Sequence, residues 1–415
     1  MERGSIPCKG KQLTTTLLIL LWEKGRKEKN QLIPIVRYIF LIFGMLLLCG
    51  LLCSLLALSA SLPLNLIKLP SPASCLDGSP AGYYYRPGNS TVWVVYLEGG
   101  GACYSYADCL ARSRTTLGSS TAWSPTFSQA DNLLSDSPAV NPVFHAAHAV
   151  YIPYCTGDAH TGTRAGPLNS SWPFHFSGHL NLAAVLDALL AGSPVHAEFG
   201  AATEVLLAGS SAGGLGTLHN ADYLASRVPA GVRVRAAPQG GWFFPAVQVF
   251  AAWSANAQQP IWQTLAFVNH LYAGYTNPAC VAQHNVSYCF TVDHVFAFSR
   301  VPTFVAENLV DSNQVFAELL APTHSPRLPQ FLAYFHSAML TSLAQVQAAG
   351  GHGVWAPGCL AHTENLNFAA NGTLVQRHAY VEALNAWWLG GSSIPSILVD
   401  SCTDPVPCNP SCPAA

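Results

Sequence analysis

Hydrophobic and polar positions alternate along most of this chain between two kinds of run. Some are short, unbroken stretches of β-branched and apolar residues; others are longer, with an apolar residue at every third or fourth place. The first kind predicts strands buried on both faces, and the second predicts amphipathic helices. Strands are predicted at Val92 to Leu97, Ala149 to Pro153, Glu204 to Ala208, Val232 to Ala236 and Thr303 to Val305. A helix is predicted at His179 to Ala191, where Leu182, Val185, Leu186 and Leu189 share one face and Gly192 supplies a stop. Further helices are predicted at Leu215 to Ala225, Leu328 to Ala348 and Leu374 to Leu389, and the Tyr380, Leu384 and Trp388 stripe of the last reads as core. This order predicts an α/β fold with a mostly parallel central sheet flanked by helices. Residues 250 to 290 lack a clear period and read as a cap or loop insertion.

The first sixty residues follow a different pattern. An uncharged apolar run from Tyr38 to Ala60 is long enough to span a bilayer. It follows a basic segment, residues 1 to 37, with eight Lys/Arg against three Glu, whereas beyond Lys68 ten Arg stand against eighteen acidic residues. That asymmetry predicts a cytosolic N-terminus and an exported remainder. The run reads either as a retained signal-anchor or as a signal h-region cut near Leu58-Ser59-Ala60. Residues 61 to 74, rich in Pro and Ser, read as a linker, and residues 75 to 415 as one large domain with a Cys/Pro-rich tail, expected to be a monomer.

Cysteine usage agrees with export. Three of the thirteen cysteines, Cys8, Cys49 and Cys53, lie in the N-terminal segment, leaving ten that read as up to five disulfides in an oxidising compartment. No CxxC pair faces a second pair at zinc-finger spacing. Sequons at Asn89, Asn169, Asn285 and Asn371 fit a glycosylated exterior. The acidic balance of the exported part argues against a nucleic-acid partner, which would want a basic stripe.

The candidate chemistry starts at Gly209-Ser210-Ser211-Ala212-Gly213, between a predicted strand and a predicted helix. A serine hydroxyl needs exposure, a nearby base and donors for the oxyanion, and GxSxG at such a junction supplies the first. Glu98-Gly99-Gly100-Gly101, directly after the Val92 to Leu97 strand, resembles a Gly-rich oxyanion loop, with the N–H of Ala212 as the second donor. Asp311 is the favoured acid because it closely follows the Val301 to Val305 segment, with Glu307 and Asp293 as rivals. His362, C-terminal to Asp311, completes the order Ser, Asp, His. His219 reads as packing on the helix after Ser211. His145 and His148 have helical spacing, but no carboxylate beside them suggests a metal.

These residues carry a family resemblance. Cys75 to Pro80, Leu97 to Cys103, Asn141-Pro142, Tyr154-Cys155, Gly209 to Gly214, Val310 to Gln314 and Cys359 to His362 occur in the order seen in pectin acetylesterases and the related Notum carboxylesterases. The resemblance spans roughly Cys75 to Leu389. It implies an α/β-hydrolase-like fold, a Ser211, Asp311, His362 triad and an oxyanion hole from Gly99, Gly100 and Ala212, with no cofactor or metal. Gly101 and Ala102 would then line an acyl pocket, and the substrate would be an acyl, chiefly acetyl, ester of cell-wall polysaccharide such as pectin. The Notum branch implies a lipidated protein instead; acyl transfer by the same triad, or an inactive glycan-binding module, are the remaining readings. The chain departs from the plant enzymes at Ala102, where they carry Trp, at Thr156-Gly157-Asp158, at Gln239 and at Thr363.

Overall fold

The computed structural model describes residues 62–128, 133–192, 197–244, 268–318, 324, 326–366, 368, 372–391, 393–402 and 406–413. In chain order its elements are β1 (Leu64–Lys68), β2 (Gly82–Arg86), β3 (Val92–Leu97), α1 (Tyr106–Arg112), β4 (Thr126–Phe127), β5 (His148–Ile152), α2 (Gly178–Leu190), β6 (Glu204–Ser210), α3 (Ala212–Arg227) and β7 (Arg233–Gln239). Three short helices follow, α4 (Pro278–Val281), α5 (Val286–Cys289) and α6 (Val292–Phe296). The rest are β8 (Phe304–Ala306), β9 (Val310–Asp311), α7 (Leu328–Ala348), β10 (Gly353–Ala356), β11 (Leu360–Ala361), α8 (Tyr380–Leu389) and β12 (Ile397–Val399).

Ten strands form one sheet in the order β12-β10-β8-β7-β6-β3-β5-β2-β1-β4. From β12 to β5 every pair is parallel, and β2, β1 and β4 close one edge antiparallel. Successive side chains of a strand point to opposite faces, so the apolar runs feed two cores. In β3, Trp93, Val95 and Leu97 pack with Leu182, Val185, Leu186 and Leu189 of α2 and Leu224 of α3. Val94 and Tyr96 pack on the other face with Tyr380, Leu384 and Trp388 of α8, the stripe predicted as core. Under α7, Phe331, Phe335, Met339 and Leu343 cover Val305, Val354 and Ala356.

The register of the central strands decides where chemistry can occur. Leu97 lies opposite Gly209, Ser210 opposite Gln239, and Gln239 opposite Ala306. The carboxyl ends of β3, β6, β7 and β8 therefore finish level. The loops opening at Glu98, Ser211, Gly240 and Glu307 gather at one edge, where parallel α/β sheets hold their sites.

Several expectations need correction. The segment read as a linker contains β1, whose Asn65 to Lys68 pair with Tyr85 to Gly82 of β2. The predicted helix from Leu374 begins only at Tyr380, because Gln376 and Arg377 take positive φ and Val375 bridges His378 in a tight turn. The apolar run Tyr38 to Ala60 lies outside the described residues, as do residues 250 to 267 of the predicted insertion. Among the described residues no helix is long and apolar enough to cross a membrane.

The ten cysteines beyond the N-terminal segment pair as Cys75–Cys155, Cys103–Cys109, Cys280–Cys289, Cys359–Cys412 and Cys402–Cys408. The first and fourth close sequence separations of 80 and 53 residues. By chain entropy each such closure is worth about 4 kcal/mol. The Cys359–Cys412 bond also ties the tail to the strand end that leads into His362.

Candidate active site

Ser211 sits at the turn from β6 into α3 with φ 56° and ψ −121°, a strained conformation for a residue with a side chain. Its N–H donates to the Gln239 carbonyl (2.8 Å), and its own carbonyl accepts from Leu215, the first hydrogen bond of α3. The turn is tight enough that small residues must flank it. A Cβ on Gly209 would lie 2.5 Å from the Gly213 carbonyl oxygen, and one on Gly213 would run into the carbonyl of Leu97. This is the physical need behind the GxSxG spacing: the strand and the helix touch through their backbones, and the hydroxyl is thrust out between them.

The base and acid arrive by another route. The two-residue strands β9 and β11 pair in parallel with Ala361 opposite Asp311, which sets His362 beside the carboxylate. His362 Nδ1 lies 2.5 Å from Asp311 Oδ2, and His362 Nε2 lies 2.8 Å from Ser211 Oγ. Asp311 is fully buried, and its Oδ1 accepts from the backbone N–H of Gln314 (2.8 Å). The sequence-predicted Ser211, His362 and Asp311 thus form one continuous hydrogen-bonded line. Such a line can move a proton from the serine hydroxyl to the imidazole while the carboxylate orients the ring.

Gly99 packs directly on the serine, since a Cβ there would lie 3.1 Å from Ser211 Cβ. Gly100 (φ 143°) turns the loop over Leu117 and Tyr154. Gly101 is exposed and Ala102 half-buried. Ala212 opens α3, where the first backbone N–H groups have no intrahelical acceptor and carry the positive end of the helix dipole. Both proposed sources of oxyanion donors therefore flank Ser211.

The pectinacetylesterase family pattern matches residues 57–413 of this chain. The chain belongs to the pectinacetylesterase family. Similar relatives are pectin acetylesterase 5 of Arabidopsis thaliana, 28% identical over 374 residues covering 85% of this chain and 84% of that protein. Another is the palmitoleoyl-protein carboxylesterase Notum of Mus musculus, 30% identical over 396 residues covering 87% and 74%. Among solved structures, the Wnt deacylase Notum from Drosophila superposes with a TM-score of 0.74 at 26% identity, over 85% of this chain and 100% of that one. The fold is accordingly α/β-hydrolase-like, and the protein is a carboxylic ester hydrolase of this family.

Around the candidate site lie supporting contacts that sequence reasoning missed. Asn308 Nδ2 donates to the His362 carbonyl (2.7 Å), and Asn308 and Asn365 exchange side-chain hydrogen bonds, so this buried amide pair pins the histidine loop. On the other side His160 Nε2 donates to the Glu98 carbonyl (2.8 Å), and the Glu98 carboxylate accepts from the Tyr154 N–H (2.7 Å). Burial pushes His160 down to about 4, keeping it a neutral donor, and raises Glu98 above the usual carboxylate range despite that hydrogen bond. Asp158, raised to about 6 by burial, accepts from Thr156 Oγ1, His160 N and Gly178 N and so shapes the turn carrying His160. Gln239 bridges the hydroxyls of Tyr96 and Tyr380 beneath the serine turn. None of these contacts has a local sequence signal beyond the Thr156-Gly157-Asp158 turn.

The rival acids separate cleanly. Asp293 lies in α6, outside the hydrogen-bonded line. Glu307 is fully buried behind Asp311, and burial, then the nearby Asp311 charge, drive its carboxyl well above the ordinary range. His219 is buried against Phe290 and Thr276, and His148 stacks on Trp93, both as packing. Of the arginines near the motif loops, Arg112 donates to the Gly100 carbonyl (2.7 Å), whereas Arg164 is committed to the carbonyls of His270 and Leu271. Among the described residues no His, Cys, Asp and Glu group converges as metal ligands.

Proposed function

We propose that this protein is a serine carboxylesterase in which Ser211 is the nucleophile, His362 the general base and acid, and Asp311 the group that orients the imidazole. The observation that carries this reading is the 2.8 Å approach of His362 Nε2 to Ser211 Oγ. Ser211 Oγ attacks the ester carbonyl as His362 Nε2 takes its proton, and the N–H groups of Gly99, Gly100 and Ala212 receive the oxyanion. Collapse expels the alcohol, which takes the proton from His362 and leaves an acyl-serine. Water, deprotonated by His362, then adds to the acyl carbon, and the acid departs as Ser211 regains its proton.

For the substrate we favour short acyl groups, chiefly acetyl, on an acidic cell-wall polysaccharide such as pectin, with the domain exported as a monomer or held by the N-terminal segment. The five disulfides favour an oxidising compartment. Arg112, bonded to the Gly100 carbonyl, makes the described wall beside Gly101 and Ala102 cationic and polar, which suits a carboxylated sugar better than a long alkyl chain. A second reading, removal of a lipid from a protein, is favoured by the superposition on the Drosophila Notum structure. The deciding experiment compares kcat/KM on acetylated pectin and on a palmitoleoylated peptide. The polysaccharide reading expects the pectin to be preferred, and a tenfold or greater preference for the peptide would overturn it. Each methylene is worth only about 1–3 kcal/mol of discrimination, so intermediate esters should show a graded decline.

A further inference from the structure

Glu307 is a buried carboxyl that the ester-hydrolysis steps do not use. It follows β8 directly and has no exposed surface. Its Oε2 accepts from the Trp242 N–H (2.7 Å), and no donor among the described residues reaches its Oε1. Its carboxyl nevertheless lies in hydrogen-bond contact with the carboxylate of Asp311. Two carboxylates cannot accept from each other. In contact and without solvent, both cannot be charged. The Asp311 oxygens already face His362 Nδ1 and Gln314 N, whereas Glu307 Oε1 receives no donor among the described residues.

We infer that Glu307 is a protonated positioning residue whose neutral carboxyl donates a hydrogen bond to Asp311, completing the set of donors that fixes the carboxylate against His362. This rests on the reading of Asp311 as the group that orients the imidazole. Burial and the Asp311 charge both push the Glu307 carboxyl upward, in keeping with a proton held at neutral pH. Glu307 touches neither the ester nor the imidazole; it acts through Asp311. A glutamine offers the same shape, with an oxygen for Trp242 N and an N–H for Asp311. Leucine offers volume and no donor.

The test compares Glu307→Gln, Glu307→Leu and Ser211→Ala in the full chain, with thermal melting as the check on folding. Glu307→Gln should keep kcat within about twofold of wild type. Glu307→Leu should lower kcat about ten- to a hundredfold with KM little changed, the worth of one hydrogen bond to a charged group. A folded Glu307→Gln that loses as much as Glu307→Leu, or a folded Glu307→Leu with wild-type kcat, would overturn the inference. If Ser211→Ala stayed active, the triad reading itself would be at fault. Infrared difference spectra at pH 8 give a readout that needs no turnover and applies even if the leucine variant does not fold. The wild type minus Glu307→Gln difference should contain the carbonyl stretch of a protonated carboxylic acid, and its absence would contradict the protonated state.

Discussion

Replacing Ser211 by Ala is expected to lower kcat for ester hydrolysis about 10⁴- to 10⁶-fold, leaving only what the oxyanion donors and substrate binding contribute. The size follows from the geometry. Ser211 Oγ is the atom His362 Nε2 faces at 2.8 Å, and the strained φ of 56° holds it there. Alanine meets the same backbone strain and deletes only the hydroxyl, so thermal melting should shift little. Ser210→Ala is the matched control, because Ser210 ends β6 beside the turn and is not faced by the imidazole. Rates of both variants on a p-nitrophenyl acetate substrate, with melting curves, make the comparison. Comparable losses in the two would point to a damaged turn instead of a lost nucleophile.

The second large effect concerns Asp311 and His362 together. His362→Ala should cost about as much as Ser211→Ala, and Asp311→Ala about 10⁴-fold, while the double variant should be no worse than His362→Ala alone. Once the imidazole is gone, the carboxylate has nothing to orient. The parallel pairing of β9 with β11 explains why the two act as a unit: one register, Ala361 opposite Asp311, sets both side chains. Multiplying losses across the double-mutant cycle would argue that the residues contribute separately. Because Asp311 is fully buried, each variant needs its melting curve measured alongside its rate.

What could be read from the sequence was what local chemistry dictates. β3, β6 and β7 stood out because strands buried on both faces need unbroken apolar runs, and the Ser211 turn because strand and helix can touch only through glycines. The same glycines hid the start of α3. Gly213 and Gly214 fall before the helix predicted from Leu215, although α3 begins at Ala212 and uses them for contact with the strands behind. β10 and β12, with four and three residues, were too short to show a period, and β1 was masked by the prolines around it. The supporting shell was illegible for a different reason. Asn308 with Asn365, His160 with Glu98, and Gln239 with Tyr96 and Tyr380 are paired by the fold across long stretches of chain, and polar residues of this kind look like surface until their burial is known. Glu307 and Asp311 illustrate the limit most clearly. Four positions apart, they were rivals for one role, and only the pairing of β9 with β11 gives His362 to Asp311.

The most direct test of Ser211 as the acyl-accepting nucleophile is covalent trapping. A fluorophosphonate reacts with a serine only where an adjacent base activates the hydroxyl and donors receive the phosphoryl oxygen. Treatment of the active protein, followed by peptide mapping by mass spectrometry, should find a single adduct on Ser211, its stoichiometry tracking loss of activity and the adduct missing in His362→Ala. Full inhibition with the adduct on another residue, or continued turnover by protein labelled to completion at Ser211, would contradict the account.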